Sequence, residues 1–264
     1  MILVVNAGNS VIETGLYNKE VQLAKALFSN HHAQTSHEYS YMLRNFISSE
    51  GYNPQKVEGA VIAPVNPTSS SAISCAVFMT CGVTPLYIGP GIRTGLDILL
   101  KDPAEMGADL LAVSVAALHK HKPPLIIVLI GATALVLIAI NSKGQYLGGS
   151  LAPSPRLSLD ALCKAAAYLP SMTIETPSRI IGTNTRDALS SGVVYGTAAS
   201  VRGMVEMMID KISEKPHNNV TTVITGSVAP AITPYIGIEA EYDASLMLDG
   251  LNILYHRNKR KQAI

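Results

Sequence analysis

The residues best suited to chemistry lie at a turn near the start of the chain, where Asn6, Gly8, Asn9 and Ser10 separate two apolar segments. This pattern is typical of a β-hairpin. Because Gly8 adds no Cβ and tolerates a positive φ, such a tip can bring main-chain N–H groups close to a phosphate. The spacing is compatible with a nucleotide site, and a plain turn is the simpler structural interpretation.

A second stretch, residues 125–149, repeats this organisation. Its small-residue tip contains Gly131 and Ala132, and a polar turn at residues 141–144 corresponds to the turn at residues 18–20. Two copies of a strand-tip-strand-turn-strand unit, about half the chain apart, indicate a duplicated fold. We expect the two halves to face each other across a cleft between their tips.

A carboxylate, Asp109, follows Gly107 and Ala108 and precedes an apolar helix predicted at residues 110–118. An acidic residue there is favoured by the helix dipole, by roughly 0.3–1 kcal/mol, which is a sufficient structural explanation. The functional alternative is a base or a substrate-anchoring carboxylate that points into the cleft.

Composition sets the outer bounds. With 264 residues, of which 48% are hydrophobic, the chain can bury a large core in one or two domains. A formal net charge of +1 and 15% charged residues exclude a global attraction to nucleic acid. The basic segment at residues 256–261 is expected to be a solvated end.

The three cysteines lack the spacing of metal ligands, so we expect buried thiols, no metal site built from cysteine and a reducing cytoplasmic location. No secretory signal is recognised at the N-terminus. Residues 125–140 carry no charge, yet a membrane span needs about 20 residues and this run is broken by Gly131. We interpret it as two buried strands.

The remaining pattern predicts mixed strands with crossover helices. Thr35 and Glu38 have capping-box spacing before a helix. A long helix at about residues 187–212 carries small residues every three or four positions, which permits close approach either within one subunit or between subunits. The other predicted strands are residues 57–65, 85–88 and 220–225, and the other predicted helices are residues 69–80, 157–169 and 243–256.

The chain resembles the type III pantothenate kinases over nearly its whole length. The resemblance rests on the order and spacing of several short motifs, none of which decides alone. They are Gly8-Asn9-Ser10, the P-x-x-x-G-A-D motif ending at Asp109, the Gly131 hairpin, Gly148-Gly149, Gly182-Thr183-Asn184-Thr185, Thr225-Gly226 and Asp249-Gly250-Leu251.

The resemblance implies an α/β fold of duplicated ribonuclease-H-like domains, as in the actin, Hsp70 and sugar-kinase superfamily, with a central interdomain cleft. We expect domains at residues 1–118 and 119–264. The implied activity is ATP-dependent phosphorylation of pantothenate, the first step toward coenzyme A, with Mg²⁺ and a monovalent cation, by a dimer whose active sites lie at the subunit interface.

The implied site residues fall into three groups. Asp109 matches the proton acceptor, and Thr185, with Gly107, Ala108 and Asp109, matches the substrate site. The nucleotide site is expected at Asn6, Gly8, Asn9, Ser10, Gly131 and Ala132.

Several positions depart from the family pattern. Asn6 and Leu129 replace the aspartates of the two hairpin motifs, Ala132 replaces an ATP-contacting threonine, Leu100 replaces an aromatic residue and Leu110 replaces an arginine. These changes remove the charges that would hold ATP and its cations. We therefore predict a subunit that is inactive alone and acts in a heterodimer with an intact paralogue.

Two alternatives remain open. One is a homodimeric small-molecule kinase with altered metal use, in which Asn6 binds metal through its amide oxygen. The other is a non-catalytic regulatory protein resembling the Bvg accessory factors, for which the basic end is the only feature that favours nucleic acid.

Overall fold

The computed structural model describes residues 1–30, 34–64, 67–212 and 220–259. The chain divides into two compact units. The first comprises Met1–Gly95, Asp102–Ala116 and Ser245–Ile264, and the second comprises Leu96–Lys101 and Ala117–Ala244. The C-terminal segment belongs to the first unit, and the domains expected at residues 1–118 and 119–264 stay a prediction.

The described residues form strands and helices in alternating groups. The strands are β1 (Ile2–Ala7), β2 (Val11–Asn18), β3 (Val21–Ser29), β4 (Gly59–Ala63), β5 (Leu86–Tyr87), β6 (Asp97–Ile98), β7 (Leu125–Ile130), β8 (Ala134–Ile140), β9 (Gln145–Pro153), β10 (Thr221–Thr225) and β11 (Glu241–Tyr242). The α-helices are α1 (Ser36–Ser49), α2 (Pro67–Cys81), α3 (Ala108–Lys120), α4 (Pro155–Ala165), α5 (Thr185–Ile212), α6 (Ala229–Ile236) and α7 (Leu246–Asn258).

The two sheets share one topology. In the first, with the order β3-β2-β1-β4-β5, the three leading strands are antiparallel and β4 and β5 join in parallel. In the second, β9-β8-β7-β10-β11 repeats this arrangement, and β6 adds a parallel edge beside β9. The duplicated ribonuclease-H-like fold that the sequence predicts is thereby confirmed, including the two strands expected across the apolar run at residues 125–140.

The core of the first unit lies between one face of its sheet and two helices. Side chains of a strand alternate between faces, so Leu3 and Val5 pack against α1 and α2 whereas Asn6 lies on the opposite face. Helix α1 begins with the predicted capping box, in which the main-chain N–H of Thr35 donates to Glu38 Oε2 at 2.7 Å and Thr35 Oγ1 accepts from the N–H of Glu38.

Helix α7 covers that opposite face of the first sheet, which explains why the end of the chain belongs to the first unit. Glycines permit the close approach: a Cβ at Gly15 would lie 2.9 Å from Leu248 Cδ1, and one at Gly59 would overlap the ring of Tyr255. The buried hydroxyl of Tyr17 donates to Asp249 at 2.6 Å. This polar contact fixes α7 on the β2–β3 hairpin.

The core of the second unit is built from β7, β8 and β10 against α5 and α6. The sequence did not predict α6, because Pro230 and Pro234 are residues that usually interrupt a helix. Pro230 lies in the first turn, where no intrahelical N–H is needed, and Gly237 ends the helix in the left-handed conformation. Helix α4 also ends at Ala165, earlier than the predicted residue 169.

In the described part of the chain, no helix combines the length and the apolar character that a membrane span requires.

The three cysteines are free: Cys81 is buried, Cys163 is half-buried, and Cys75 is exposed, contrary to the expectation that all are buried. Burial raises the pKa of the Cys81 thiol to about 11. Of the basic C-terminal segment, Arg260 and Lys261 lie outside the described residues.

Candidate functional site

The first hairpin tip, Gly8-Asn9-Ser10, joins β1 to β2 and exposes the side chains of Asn9 and Ser10. A Cβ at Gly8 would lie 2.7 Å from the carbonyl oxygen of Val11, so a larger residue would force the backbone to shift. Tight glycine turns of this kind present main-chain groups at the surface. The geometry is therefore compatible with an anion-binding tip.

Asn6 is the last polar residue of β1 before this tip, and it pairs in register with Glu13 on β2. Its Oδ1 is buried and accepts no hydrogen bond from the described residues. Directly opposed residues of antiparallel strands share a face, so Glu13 lies beside Asn6. Glu13 forms an ion pair with Lys25 at 2.5 Å. This ion pair as a whole adds no net charge beside Asn6.

Asp109 lies in the first turn of α3, and its Oδ1 accepts the main-chain N–H of Leu110 at 2.8 Å. Burial raises the pKa of this carboxyl, and main-chain hydrogen bonds oppose part of that effect. A Cβ at Gly107 would lie 2.5 Å from Asp109 Oδ1, so the glycine leaves the space that the carboxylate occupies. A partly desolvated carboxylate at a helix start can accept a proton from a hydroxyl group.

The second hairpin tip follows β7 and is held by Ser154. The Ser154 hydroxyl donates to the carbonyl oxygen of Ala132 at 2.6 Å, and its main-chain N–H donates to that of Thr133 at 3.1 Å. The same Oγ accepts from the N–H of Leu157 at 3.0 Å and so caps α4. One buried serine thus joins the tip to the start of a helix.

Leu129, near the end of β7, is 9% exposed and pairs with Thr225 on the neighbouring parallel strand. Its side chain is a hydrocarbon and provides no oxygen ligand. A cation at this position would therefore need other ligands, and the described residues contain no group of three acidic, histidine or cysteine side chains that could hold a metal ion.

Thr185 is the first residue of α5, and its side chain is exposed. Asn184, just before it, accepts the main-chain N–H of Asp187 at 2.9 Å and donates to Asp187 Oδ2 at 3.0 Å. These bonds fix the start of the helix. Residues of this turn line a depression of about 500 Å³ together with Leu169, Ala188 and Leu189.

A shallow apolar groove of about 420 Å³ runs between α4, α5 and the edge formed by β8 and β9. Gly192 and Gly196 form part of its floor, and a Cβ at either position would touch nothing within 4 Å. Leu162, exposed on α4, lies at the same groove. This part of α5 is therefore an uncovered surface of small residues within the described chain.

Comparison with known proteins is consistent with these features. A model of the type III pantothenate kinase family matches residues 2–207. The type III pantothenate kinase of Pelobacter propionicus is 35% identical over 259 residues, which cover 98% of this chain and 100% of that protein. The chain belongs to the type III pantothenate kinase family.

Solved structures of other proteins have a similar fold. Component A of the (R)-2-hydroxyglutaryl-CoA dehydratase of Acidaminococcus fermentans has a TM-score of 0.58 at 12% identity, covering 100% of this chain and 99% of that one. The ROK hexokinase of Thermus thermophilus has a TM-score of 0.51 at 12% identity, covering 99% of each chain. At these identities the likeness concerns the fold alone.

The structure places the predicted site residues on a small number of turns. In the first unit, the β1–β2 hairpin carries Asn6, Gly8, Asn9 and Ser10, and the start of α3 carries Gly107, Ala108 and Asp109. In the second unit, the tip after β7 carries Gly131 and Ala132, and the start of α5 carries Thr185. Their roles in binding and catalysis stay predictions.

Sequence reasoning missed the residues that hold the two tips, Asn30 for the first and Ser154 for the second. Asn30 lies at the end of β3 and bonds back to the first tip, while Ser154 lies at the end of β9 and bonds back to the second. Each stands after the third strand of its repeat. Because the two residues occupy equivalent positions in the two repeats, an alignment of one repeat with the other could have identified them.

Proposed function

We propose that this chain is a subunit of a type III pantothenate kinase in coenzyme A biosynthesis that does not complete an active site alone. It acts as a heterodimer with an intact paralogue, which supplies the acidic residues for ATP-dependent phosphorylation of pantothenate. The substrate and the reaction class come from the family to which the chain belongs.

The observation that carries the proposal is the neutrality of the positions that the family uses for cations. Asn6 offers one buried neutral oxygen, Leu129 offers none, and the charge of Glu13 is balanced by Lys25. A divalent cation does not fit this donor set, so we derive no step through a metal ion bound by this chain. Main-chain groups at the Gly8 tip remain suitable for phosphate oxygens.

The energetic consequence is large. Phosphoryl transfer relies on positioning and on charge stabilisation, so the loss of metal-binding carboxylates costs several kcal/mol of transition-state stabilisation. The replacement of the arginine by Leu110 removes about 1.5–3 kcal/mol of charged hydrogen bonding. At about 1.4 kcal/mol per tenfold in rate, these losses lower turnover by about 10⁴. The carboxylate of Asp109 does not replace them.

Two retained features suit a contribution to a partner. Thr185 is exposed at the start of α5, and the same helix presents Gly192, Gly196 and the exposed Ala199 and Ser200. Small side chains let a second helix approach closely. We propose that α5 packs against the paralogue and delivers the Thr185 hydroxyl to the pantothenate that the paralogue binds.

The test is an assay of ATP-dependent pantothenate phosphorylation by the pure chain, by a paralogue carrying the acidic residues, and by the mixture. We expect activity from the mixture and turnover by the pure chain that is about 10⁴-fold lower. Normal turnover by the pure chain would reject the proposal.

A variant pair tests the delivered hydroxyl. Thr185→Val in this chain should raise the KM for pantothenate of the mixture about tenfold, the cost of one hydrogen bond. Thr183→Val, in the same exposed turn, is the matched control and should leave that KM unchanged. Equal effects of the two variants would show that the hydroxyl of Thr185 has no specific role.

A second candidate function is a homodimeric small-molecule kinase with altered metal use. It is favoured by the buried Oδ1 of Asn6, which accepts no hydrogen bond from the described residues and could serve as a single neutral ligand in a site whose other ligands come from ATP and water. A series of Mg²⁺ and K⁺ concentrations with ATP and the pure chain separates the two candidates, because only this one requires metal-dependent turnover without a partner.

A further inference from the structure

One buried side chain holds the first hairpin tip from the inside. Asn30, 7% exposed, donates its main-chain N–H to the carbonyl oxygen of Ser10 at 2.9 Å. Its Nδ2 donates to the carbonyl oxygen of Gly8 at 2.6 Å. The two carbonyl groups on either side of Asn9 are thus bonded to the same residue.

Asn30 is itself locked by two helices. Its Nδ2 also donates to Ser69 Oγ on α2 at 3.2 Å, and its Oδ1 accepts from the hydroxyl of Tyr39 on α1 at 2.8 Å. Ser69 is 2% exposed and Tyr39 is fully buried. An amide has two N–H donors and one carbonyl acceptor, and each has a partner here. Rotating the amide by half a turn would direct its oxygen at the Gly8 carbonyl oxygen, so the observed orientation is fixed.

The direction of these bonds determines where the tip can donate. In a trans peptide the N–H points away from the C=O of the same unit. Because the Gly8 carbonyl is turned inward to Asn30, the N–H of Asn9 is directed to the outer side of the tip. Main-chain N–H groups held in a fixed outward direction bind anions at lower entropic cost than a mobile turn does.

We infer that Asn30 is a positioning residue for phosphate: it orients the Gly8-Asn9-Ser10 tip so that the Asn9 N–H can donate to a phosphate oxygen of a nucleotide. This inference rests on the proposed function only in taking the ligand to be a nucleoside triphosphate. It requires no metal ion and no paralogue, because all groups involved belong to the first unit of this chain.

The experiment measures binding of ATP and of inorganic triphosphate to the full-length pure chain, without divalent cations, by calorimetry. Asn30→Asp keeps the size of the side chain and the acceptor for Tyr39 but removes the N–H that binds Gly8. We expect it to weaken binding at least about tenfold, the effect of one lost charge-assisted hydrogen bond. Tyr39→Phe, which only loosens Asn30, should weaken binding less.

A matched control separates positioning from general stability. Ser40 and Thr80 share a buried hydrogen bond of 2.9 Å between the same two helices, α1 and α2. Ser40→Ala should lower the melting temperature much as Tyr39→Phe does and leave the affinity for triphosphate unchanged. A second readout is the amide resonance of Asn9, which should shift on addition of triphosphate to the wild type and to Ser40→Ala, and shift less in Asn30→Asp.

The outcomes are distinct. Equal affinities in Asn30→Asp and Ser40→Ala would overturn the role of Asn30, as would a wild-type chain that binds neither ATP nor triphosphate. Neither result affects the proposed function, which is decided by pantothenate phosphorylation in the mixture with a paralogue. Conversely, an inactive mixture with intact triphosphate binding would reject the proposed function and leave the role of Asn30 in place.

Discussion

At the residue scale, Asn6 and the Glu13–Lys25 ion pair share one face of the first sheet beside the hairpin tip. The buried Oδ1 of Asn6 accepts no hydrogen bond from the described residues. An amide oxygen is a weaker ligand for Mg²⁺ than a carboxylate, which carries a full charge. Asn6 therefore attracts a cation less strongly than an aspartate at the same position would.

Asn6→Asp should increase the attraction for a cation. We expect the variant to bind ATP at least about tenfold more tightly with Mg²⁺ than without it, since a carboxylate–metal contact exceeds about 1.4 kcal/mol. Calorimetry with and without Mg²⁺ measures the difference, and Asn6→Leu, which lacks any oxygen, is the control. A wild-type chain with the same Mg²⁺ dependence as Asn6→Asp would favour the homodimer with altered metal use.

The buried carboxyl of Asp109 links the site to pH. Its pKa in the folded chain is raised above the ordinary value of 3.8, chiefly by burial, so the folded state binds this proton more readily than the unfolded state does. The stability that the protonated carboxyl contributes is fully present below pH 3.8 and is lost as the pH rises through the folded pKa.

Asp109→Asn removes the dependence of stability on pH that comes from this carboxyl. We expect the free energy of unfolding of the wild type to fall relative to that of the variant as the pH rises from 3.8 toward 7. Urea unfolding at several pH values measures the difference. Asp210→Asn, at an exposed position on α5, is the control for the loss of one carboxylate. A constant difference between wild type and Asp109→Asn would contradict the raised pKa.

At the element scale, Ser154 connects the second hairpin tip to α4 through one fully buried hydroxyl. Ser154→Ala removes the helix cap and leaves the Ala132 carbonyl without this donor, so we expect a loss of about 1–3 kcal/mol in the free energy of unfolding. Urea unfolding is the measurement. Ser158→Ala, exposed on the same helix, should change stability by less than about 0.5 kcal/mol.

The hydroxyl of Tyr17 adds a polar contact to the apolar packing of α7: it donates to Asp249 and accepts from Gln22 at 2.9 Å. Burial and the nearby Asp249 raise the pKa of this hydroxyl, so it stays a donor at ordinary pH. Tyr17→Phe should lower the free energy of unfolding by about 1–3 kcal/mol.

The control for this contact is Tyr41→Phe, whose ring is 73% exposed on α1. That change should leave the midpoint of urea unfolding nearly unchanged. A loss of stability of similar size in both variants would mean that the bond to Asp249 does not hold α7 in place.

At the scale of the whole molecule, the uncovered small-residue surface of α5 is the place where a second chain is proposed to pack. Gly196→Leu should abolish association with the paralogue and the activity of the mixture, because the larger side chain occupies the space that a second helix would need, at a position where an added Cβ has no neighbour within 4 Å. Light scattering after size-exclusion chromatography measures association.

The paired variant Gly196→Ala adds one methyl group and improves helix propensity by about 1 kcal/mol. We expect it to keep association and to raise the melting temperature. Association retained in Gly196→Leu would contradict the proposed packing surface. So would loss of association in both variants accompanied by unfolding of the single chain, because the effect would then come from stability.

Much of the fold was predictable because it rests on local patterns. The two hairpins, the duplication and the capping box of α1 follow from alternation and from short-range spacing, which the sequence carries directly. Helix α6 was not predicted, since Pro230 and Pro234 are breakers by pattern and only burial of Ile232 and Ile236 in the second core compensates for them.

Residue identity and short-range order were enough to identify the family, to locate the hairpin tips and to show that Asn6 and Leu129 are uncharged. Folding was needed to place the chain end on the first sheet, to pair Glu13 with Lys25 and to bring Asn30 to the Gly8 tip. These depend on contacts between residues far apart in the chain, whose energy appears only once the chain has folded.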